Sequence, residues 1–245
     1  MGAPPIRIAM WSGPRNISTA MMRSFEARGD TAVSDEPFYA AYLDRTGIEH
    51  PMREQVIASQ PRDQAAAAGL LLGPVPGNKP IWYQKHMTLH LLDGDGREWM
   101  SHMRNAFLIR HPASVLASYA LKRDEVTLAD IGFVQQRELF EAEAQRLGKP
   151  PPVVDAADIV ANPARTLERL CDALGIPYLP AMLRWPPGGR ATDGVWAPAW
   201  YQSVEKSTGF EAPKEKAAAE LPPHLRALAD QAWPHYAALE VHRLF

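Results

Sequence analysis

The stretch RIAMWSGPRNISTAMMRSF, residues 7–25, decides the fold. It reads as a short apolar strand, a tight polar loop and an amphipathic helix. That order sets backbone N–H groups and the positive end of a helix dipole at the tip of a strand, the geometry that receives a phosphate or sulfate. Arg15 adds a permanently charged planar fork. The hydroxyls of Ser18 and Thr19 stand where the helix begins, placed either to cap it or to donate to an oxyanion. An ATPase loop of the form G-x-x-x-x-G-K-[ST] is excluded, because the loop holds one glycine, Gly13, and no lysine precedes Ser18 or Thr19. An ordinary strand-to-helix turn with a good cap has the same composition, so this loop alone leaves both readings open.

Working outward, residues 105–122, NAFLIRHPASVLASYALK, repeat the pattern. An apolar strand over Ala106 to Ile109 ends in Arg110, and a turn with Pro112 leads into a helix carrying Ser118. An arginine leaving the carboxyl end of a strand points into the crevice where open α/β sheets bind ligands; a salt bridge at the sheet edge is the plainer alternative. Further strand-like runs lie at Arg7 to Trp11, Thr31 to Ser34, Ile81 to Gln84 and Pro152 to Asp155, with helical stretches such as Gln64 to Leu72 and Asp130 to Leu147 between them. The alternation predicts an α/β fold with a mainly parallel central sheet covered by helices on both faces. Pro150 to Pro152 end the long helix, and Pro163 is placed to start the next. Residues 179–198 are rich in Pro, Gly and Trp and read as a long ordered loop or lid.

Three segments in order resemble the sulfotransferase family, enzymes that use 3′-phosphoadenosine 5′-phosphosulfate (PAPS). Pro14, Arg15, Asn16, Ile17, Ser18 and Thr19 align without a gap with the family's phosphosulfate loop, P-[KR]-S-G-[ST]-T. Arg110, Pro112 and Ser118 match its 3′-phosphate motif, R-x-P-x-x-x-x-x-S, at full spacing. Residues 153–178, VVDAADIVANPARTLERLCDALGIPY, resemble the segment that follows that motif. The resemblance implies a P-loop NTPase-like sulfotransferase fold over residues 1–245 as one domain, with a lid or extension at about 179–210. It implies transfer of a sulfuryl group from PAPS to a hydroxyl or amine of a small-molecule acceptor. It also implies that Arg15, Asn16, Ile17, Ser18 and Thr19 hold the 5′-phosphosulfate, and that Arg110 and Ser118 hold the 3′-phosphate. The chain departs from the pattern at Asn16 and Ile17, which stand where the family has Ser-Gly, and a β-branched residue resists the positive φ that glycine allows. The family's carboxyl-terminal RKG-like element is not evident, Lys206 in SVEKSTGF being a weak substitute.

Sulfuryl transfer needs a base for the acceptor proton and fixed cations for the charge that grows on the departing bridging oxygen. Glu36, in TAVSDEPFYAAYL after the second strand, is the first candidate base, in an EPF context similar to that of several sulfotransferase groups; a turn in which Asp35 and Glu36 merely cap or solvate is the alternative. Other members place a lysine and a histidine as K-x-H after the third strand. Here the pair is adjacent, Lys85-His86, so Lys85 is read as a stabiliser of the leaving oxygen and His86 as a second candidate base. Arg15 completes the catalytic set with Glu36, Lys85 and His86, while His90 and His111 are read as structural. Phe38, Tyr39, Tyr42, Trp82, Trp196, Trp200 and Tyr201 suit either an apolar acceptor pocket or core and lid packing. No His, Cys or carboxylate spacing suggests a metal.

Composition restricts the partners. A formal net charge of −2 over 245 residues supplies no global basic field for nucleic acid or an acidic membrane, so cations for an anionic donor must be local. The single cysteine, Cys171, rules out an intrachain disulfide and sits in a helical pattern at a core position. No secretory or long apolar segment is visible, and a cytoplasmic protein is expected. Two other classes stay open: a nucleotide-dependent, kinase-like phosphotransferase, and a non-catalytic nucleotide-binding protein on the same fold.

Overall fold

Five apolar runs form one parallel sheet: β1 (Ile6–Ser12), β2 (Thr31–Asp35), β3 (Ile81–Met87), β4 (Arg104–Ile109) and β5 (Val153–Asp155). The structure is a computed structural model that describes residues 4–120, 126–211 and 221–244. Leu121 and Lys122, the end of the second quoted stretch, lie outside the described residues. The strand order is β2-β3-β1-β4-β5, with Ile6 opposite Ile81 and Ile8 opposite Arg104. This is the α/β architecture expected from the alternation of strands and helices.

Helices follow in chain order: α1 (Ser18–Glu26), α2 (Tyr39–Thr46), α3 (Arg53–Ser59), α4 (Gln64–Leu72), α5 (Pro112–Tyr119), α6 (Leu128–Ile131), α7 (Phe133–Leu147), α8 (Ala156–Ala161), α9 (Pro163–Ala173), α10 (Ala197–Trp200) and α11 (Pro223–Glu240). Side chains alternate across each strand. On β1, Ile8 and Met10 face a core built with Met21, Phe25, Leu167 and Leu170 from α1 and α9. Ala9 and Trp11 face the opposite core, with Leu71, Leu116, Leu139 and Ala232 from α4, α5, α7 and α11. Both faces are therefore covered, as a parallel sheet requires.

Two local outcomes differ from the sequence reading. The helix expected over Asp130 to Leu147 divides at Gly132, whose φ of 67° lets the chain turn between α6 and α7. A Cβ there would stand 2.7 Å from Thr88 Oγ1, so the break is also a point of close approach. The third strand runs three residues beyond Gln84 to Met87, and this places Lys85 and His86 inside β3 instead of after it.

Candidate active site at the carboxyl ends of the strands

The loop from β1 to α1 is closed by two residues in left-handed conformations, Arg15 at φ 61° and Ile17 at φ 55°. Ile17 thus adopts the backbone shape for which the family's glycine is suited. It does so as the first flanking residue of α1, and no side chain caps that helix start, so neither Ser18 nor Thr19 acts as a cap. The donors of the first turn are left for another acceptor. Gly13 is fixed by crowding: a Cβ on it would meet the Ile131 carbonyl oxygen at 2.6 Å. Asn16 is buried and donates its Nδ2 to the Leu108 carbonyl at 3.1 Å, which ties the loop to β4, while its Oδ1 is buried without a partner.

The two predicted anion elements are joined. Arg110 Nη1 donates to the Arg15 carbonyl at 2.7 Å, and Arg15 Nε donates to Ser118 Oγ at 3.0 Å. A guanidinium at the tip of β4 thereby steadies the left-handed Arg15, and the α5 hydroxyl steadies the Arg15 head.

Beside this loop lies a buried charge cluster. Lys85 Nζ donates to Asp35 Oδ1 at 2.8 Å, to Glu36 Oε1 at 2.5 Å and to the Tyr201 hydroxyl at 2.7 Å, which fills its three N–H bonds. Burial works against the Lys85 charge, but Asp35 and Glu36 together hold its pKa well above the ordinary value. Burial pushes the Glu36 carboxyl up, and Asp35 adds to that push while Lys85 opposes it. Glu36 sits at φ 40°, its N–H bonded to the Lys85 carbonyl and its own carbonyl accepting from Gln60 Nε2 at 3.1 Å. Three of the five non-glycine residues with positive φ among the described residues, Arg15, Ile17 and Glu36, line this one site. Concentrated strain of that kind is held in place by the structure around it.

His86 requires a correction. Strand alternation sends it to the face opposite Lys85, where its ring stacks on Trp11 at 4.5 Å and packs near Phe38 and Trp99. Burial pushes its pKa down to about 3. It does not line the cavity, and the sequence reading of it as a base meets an apolar core position. His90, read as structural, lines the cavity together with His50: its Nε2 stands 4.0 Å from Glu36 Oε2 and its ring stacks on Tyr39 and Tyr42. Burial, with His50 and Lys85 nearby, holds it well below the ordinary histidine value.

A cavity of about 650 Å³ joins these parts. The loop from Pro14 to Thr19, with Arg110 and Ser118, lines it. Glu36, Lys85 and His90 line it too, with the aromatic residues Tyr39, Tyr42, Trp196, Trp200 and Tyr201. Phe38 and Trp82, also considered for a pocket, are core residues. Lys206 is exposed and does not line the cavity. Among the described residues no group of three or more His, Cys, Asp or Glu is arranged to hold a metal, and no helix is long and apolar enough to cross a membrane.

A family model described as a sulfotransferase domain matches residues 6–242. The chain belongs to the sulfotransferase family. Two Arabidopsis thaliana proteins named branched-chain-amino-acid aminotransferase-like protein 1 and protein 2 are 38% and 35% identical to it, over 87% and 96% of this sulfotransferase chain. The chain spans 38% and 41% of those relatives' own lengths. Among solved structures, a sulfotransferase from Alicyclobacillus acidocaldarius aligns with a TM-score of 0.58 at 15% identity, covering all of this chain and 98% of that one. The sulfotransferase domain from the Synechococcus PCC 7002 olefin synthase gives 0.52 at 19%, covering 94% and 95%. The sulfotransferase domain from the curacin biosynthetic pathway gives 0.51 at 16%, covering 94% and 98%. At those identities the likeness is one of fold.

Sequence reasoning missed Asp35 as the second partner of Lys85, and it had no role for the Tyr201 hydroxyl. The aspartate had a signal, since it precedes Glu36 at a strand tip. Tyr201 had none, because it arrives from a segment 166 residues further along the chain than Asp35.

Proposed function

We propose that this sulfotransferase-family chain moves a sulfuryl group from PAPS to a hydroxyl or amine of a small-molecule acceptor. The observation that carries the reading is the single cavity in which the loop from Pro14 to Thr19, the Arg110–Ser118 pair and the Glu36–Lys85 pair meet. In this reading the uncapped start of α1 and Arg15 take the 5′-phosphosulfate, and Arg110 with Ser118 takes the 3′-phosphate. Glu36, whose carboxyl is pushed up by burial, accepts the acceptor's proton. The acceptor oxygen or nitrogen forms its bond to sulfur as the bond from sulfur to the bridging oxygen breaks. Lys85 and Arg15 neutralise the charge left on adenosine 3′,5′-bisphosphate. For Lys85 to reach that oxygen it must release one of its three present partners, of which Glu36 and Tyr201 line the cavity. His86 has no part in this scheme. We further propose one domain over residues 1–245 in which residues 179–210 roof the acceptor end.

One observation favours a second reading, a nucleotide-binding protein without turnover: all three Lys85 donors are already filled within the protein. The aminotransferase-like name belongs to relatives of whose length this chain spans 38% and 41%, and it supplies no further reading of this site.

Calorimetric titration with adenosine 3′,5′-bisphosphate, ATP–Mg²⁺ and AMP, on wild type and Arg110→Ala, tests the donor. Selective binding of the bisphosphate, weakened at least tenfold in the variant, is expected. Equal binding by both proteins, or a preference for ATP, refutes the donor assignment. Donor binding with no transfer from PAPS across hydroxyl and amine acceptors would turn the assignment to the second reading.

A further inference from the structure

Asp35 and Glu36 share one lysine but are held differently. Asp35 accepts three hydrogen bonds among the described residues: Lys85 on Oδ1 at 2.8 Å, and on Oδ2 both the Tyr201 hydroxyl at 2.6 Å and the Gly194 N–H at 3.0 Å. Among the described residues the Glu36 carboxylate accepts one, from Lys85 on Oε1, and it lines the cavity while Asp35 does not. Tyr201 is the hinge of this asymmetry. Its hydroxyl donates to Asp35 and accepts from Lys85 and from Trp196 Nε1 at 3.1 Å, which uses its full hydrogen-bonding capacity.

We propose that Tyr201 is a positioning residue for sulfuryl transfer: it locks Asp35 and Lys85 into a fixed ion pair, so that Glu36 is the carboxylate that takes the acceptor's proton. The proposal rests on the donor reading given above. Two adjacent carboxylates with unequal donors divide their protonation, the well-donated one staying ionised and the other taking the proton. Asp35 then serves as the permanent counter-ion of Lys85, and Glu36 cycles its proton at the cavity wall.

Other groups face this pair from every side: Tyr83 and Lys85 on β3, Tyr39 and Tyr42 on α2, and His50 and His90 at the cavity. Burial first, and neighbouring carboxylates next, hold the Tyr39 and Tyr201 hydroxyls above the ordinary value, so neither ionises near neutral pH; burial does the same to Tyr83. His90 stays neutral. His50 bonds the Tyr39 hydroxyl at 2.7 Å, so the titration must be read at the carboxyl carbons and not from activity.

The experiment is ¹³C NMR of the full chain labelled at Asp and Glu carboxyl carbons, with Glu36→Gln and Asp35→Asn assigning the two signals. In wild type, Glu36 titrates above the ordinary carboxylate range. In Tyr201→Phe, the apparent midpoint of the carboxyl pair rises by roughly one unit, since a donor to the ionised form is gone. An unmoved midpoint, with the melting temperature retained, overturns the proposal. Should Tyr201→Phe fail to fold, Asp35→Asn decides: Glu36 should then titrate at lower pH, and an unmoved Glu36 overturns it. Calorimetry with adenosine 3′,5′-bisphosphate runs beside the NMR. Binding to both proteins within about twofold, with the expected titration, supports the proposal. Binding with an unmoved titration sinks Tyr201 alone, and no binding to wild type removes the reaction itself.

Discussion

Ile17 carries the sharpest test of the loop. It stands at φ 55°, ψ 18°, where an L-residue other than glycine is strained, and its side chain packs half-buried against the core that includes Met21 and Met22. Truncation to alanine keeps the strain and loses the packing, at a cost of about 1–2 kcal/mol. Ile17→Gly loses the same packing and releases about 1–2 kcal/mol of left-handed strain. Against this stands the extra freedom of glycine in the unfolded chain, about 0.4–1 kcal/mol. The glycine variant should therefore be more stable than the alanine variant by about 0.5–1 kcal/mol, the reverse of their usual order in and near helices. For a chain of this size that is a melting difference of roughly 1–4 °C. Urea denaturation of wild type and both variants under one buffer measures it, and matched m-values ensure that the comparison concerns the native loop. An alanine variant as stable as the glycine variant, or more so, would refute the left-handed turn and with it the argument that the loop presents its N–H groups as a glycine-bearing member does.

Two further substitutions test the cluster and the core. Lys85→Met leaves Asp35 and Glu36 buried side by side without their cation, which should cost about 3–5 kcal/mol at pH 8. A carboxyl whose folded pKa lies above its unfolded value gains stability as pH falls, so part of that loss should return by pH 5; equal losses at both pH values would count against a buried anionic pair. His86 has the opposite linkage. Its folded pKa of about 3 lies below the ordinary 6.5, so its contribution is whole above 6.5 and is lost as pH falls toward 3. At pH 4 that loss is about 3 kcal/mol. His86→Phe, which keeps a ring against Trp11, should remove that part of the acid sensitivity in urea melts at pH 7 and pH 4, and an unchanged difference would mean that His86 is not buried in its neutral form.

The parallel sheet and the two strand–loop–helix segments that carry Arg15 and Arg110 were legible because each is a local pattern: an apolar run, a breaker, then a helical period. What escaped was set by strand length and by contacts distant in sequence. A third strand that ends at Gln84 leaves Lys85 and His86 in a loop where both can face one ligand. Three more strand residues put them on opposite faces, and the period of two alone then separates a cation of the site from a histidine of the core. His90 lies past that period, in the turn Thr88–His90 that follows the strand and brings it back toward Glu36. Asp35 and Glu36 pose the subtler case. Adjacent residues at a strand tip should point apart, yet both carboxylates meet Lys85, because Glu36 leaves the strand at φ 40° and Gln60 bonds the carbonyl that follows the bend. A positive φ at a glutamate has no signature in composition or spacing. It is held by an amide from beyond α3, while a tyrosine 166 residues away bonds the neighbouring Asp35, so the carboxylate–lysine cluster is a product of tertiary packing in a way that the loop from Pro14 to Thr19 is not.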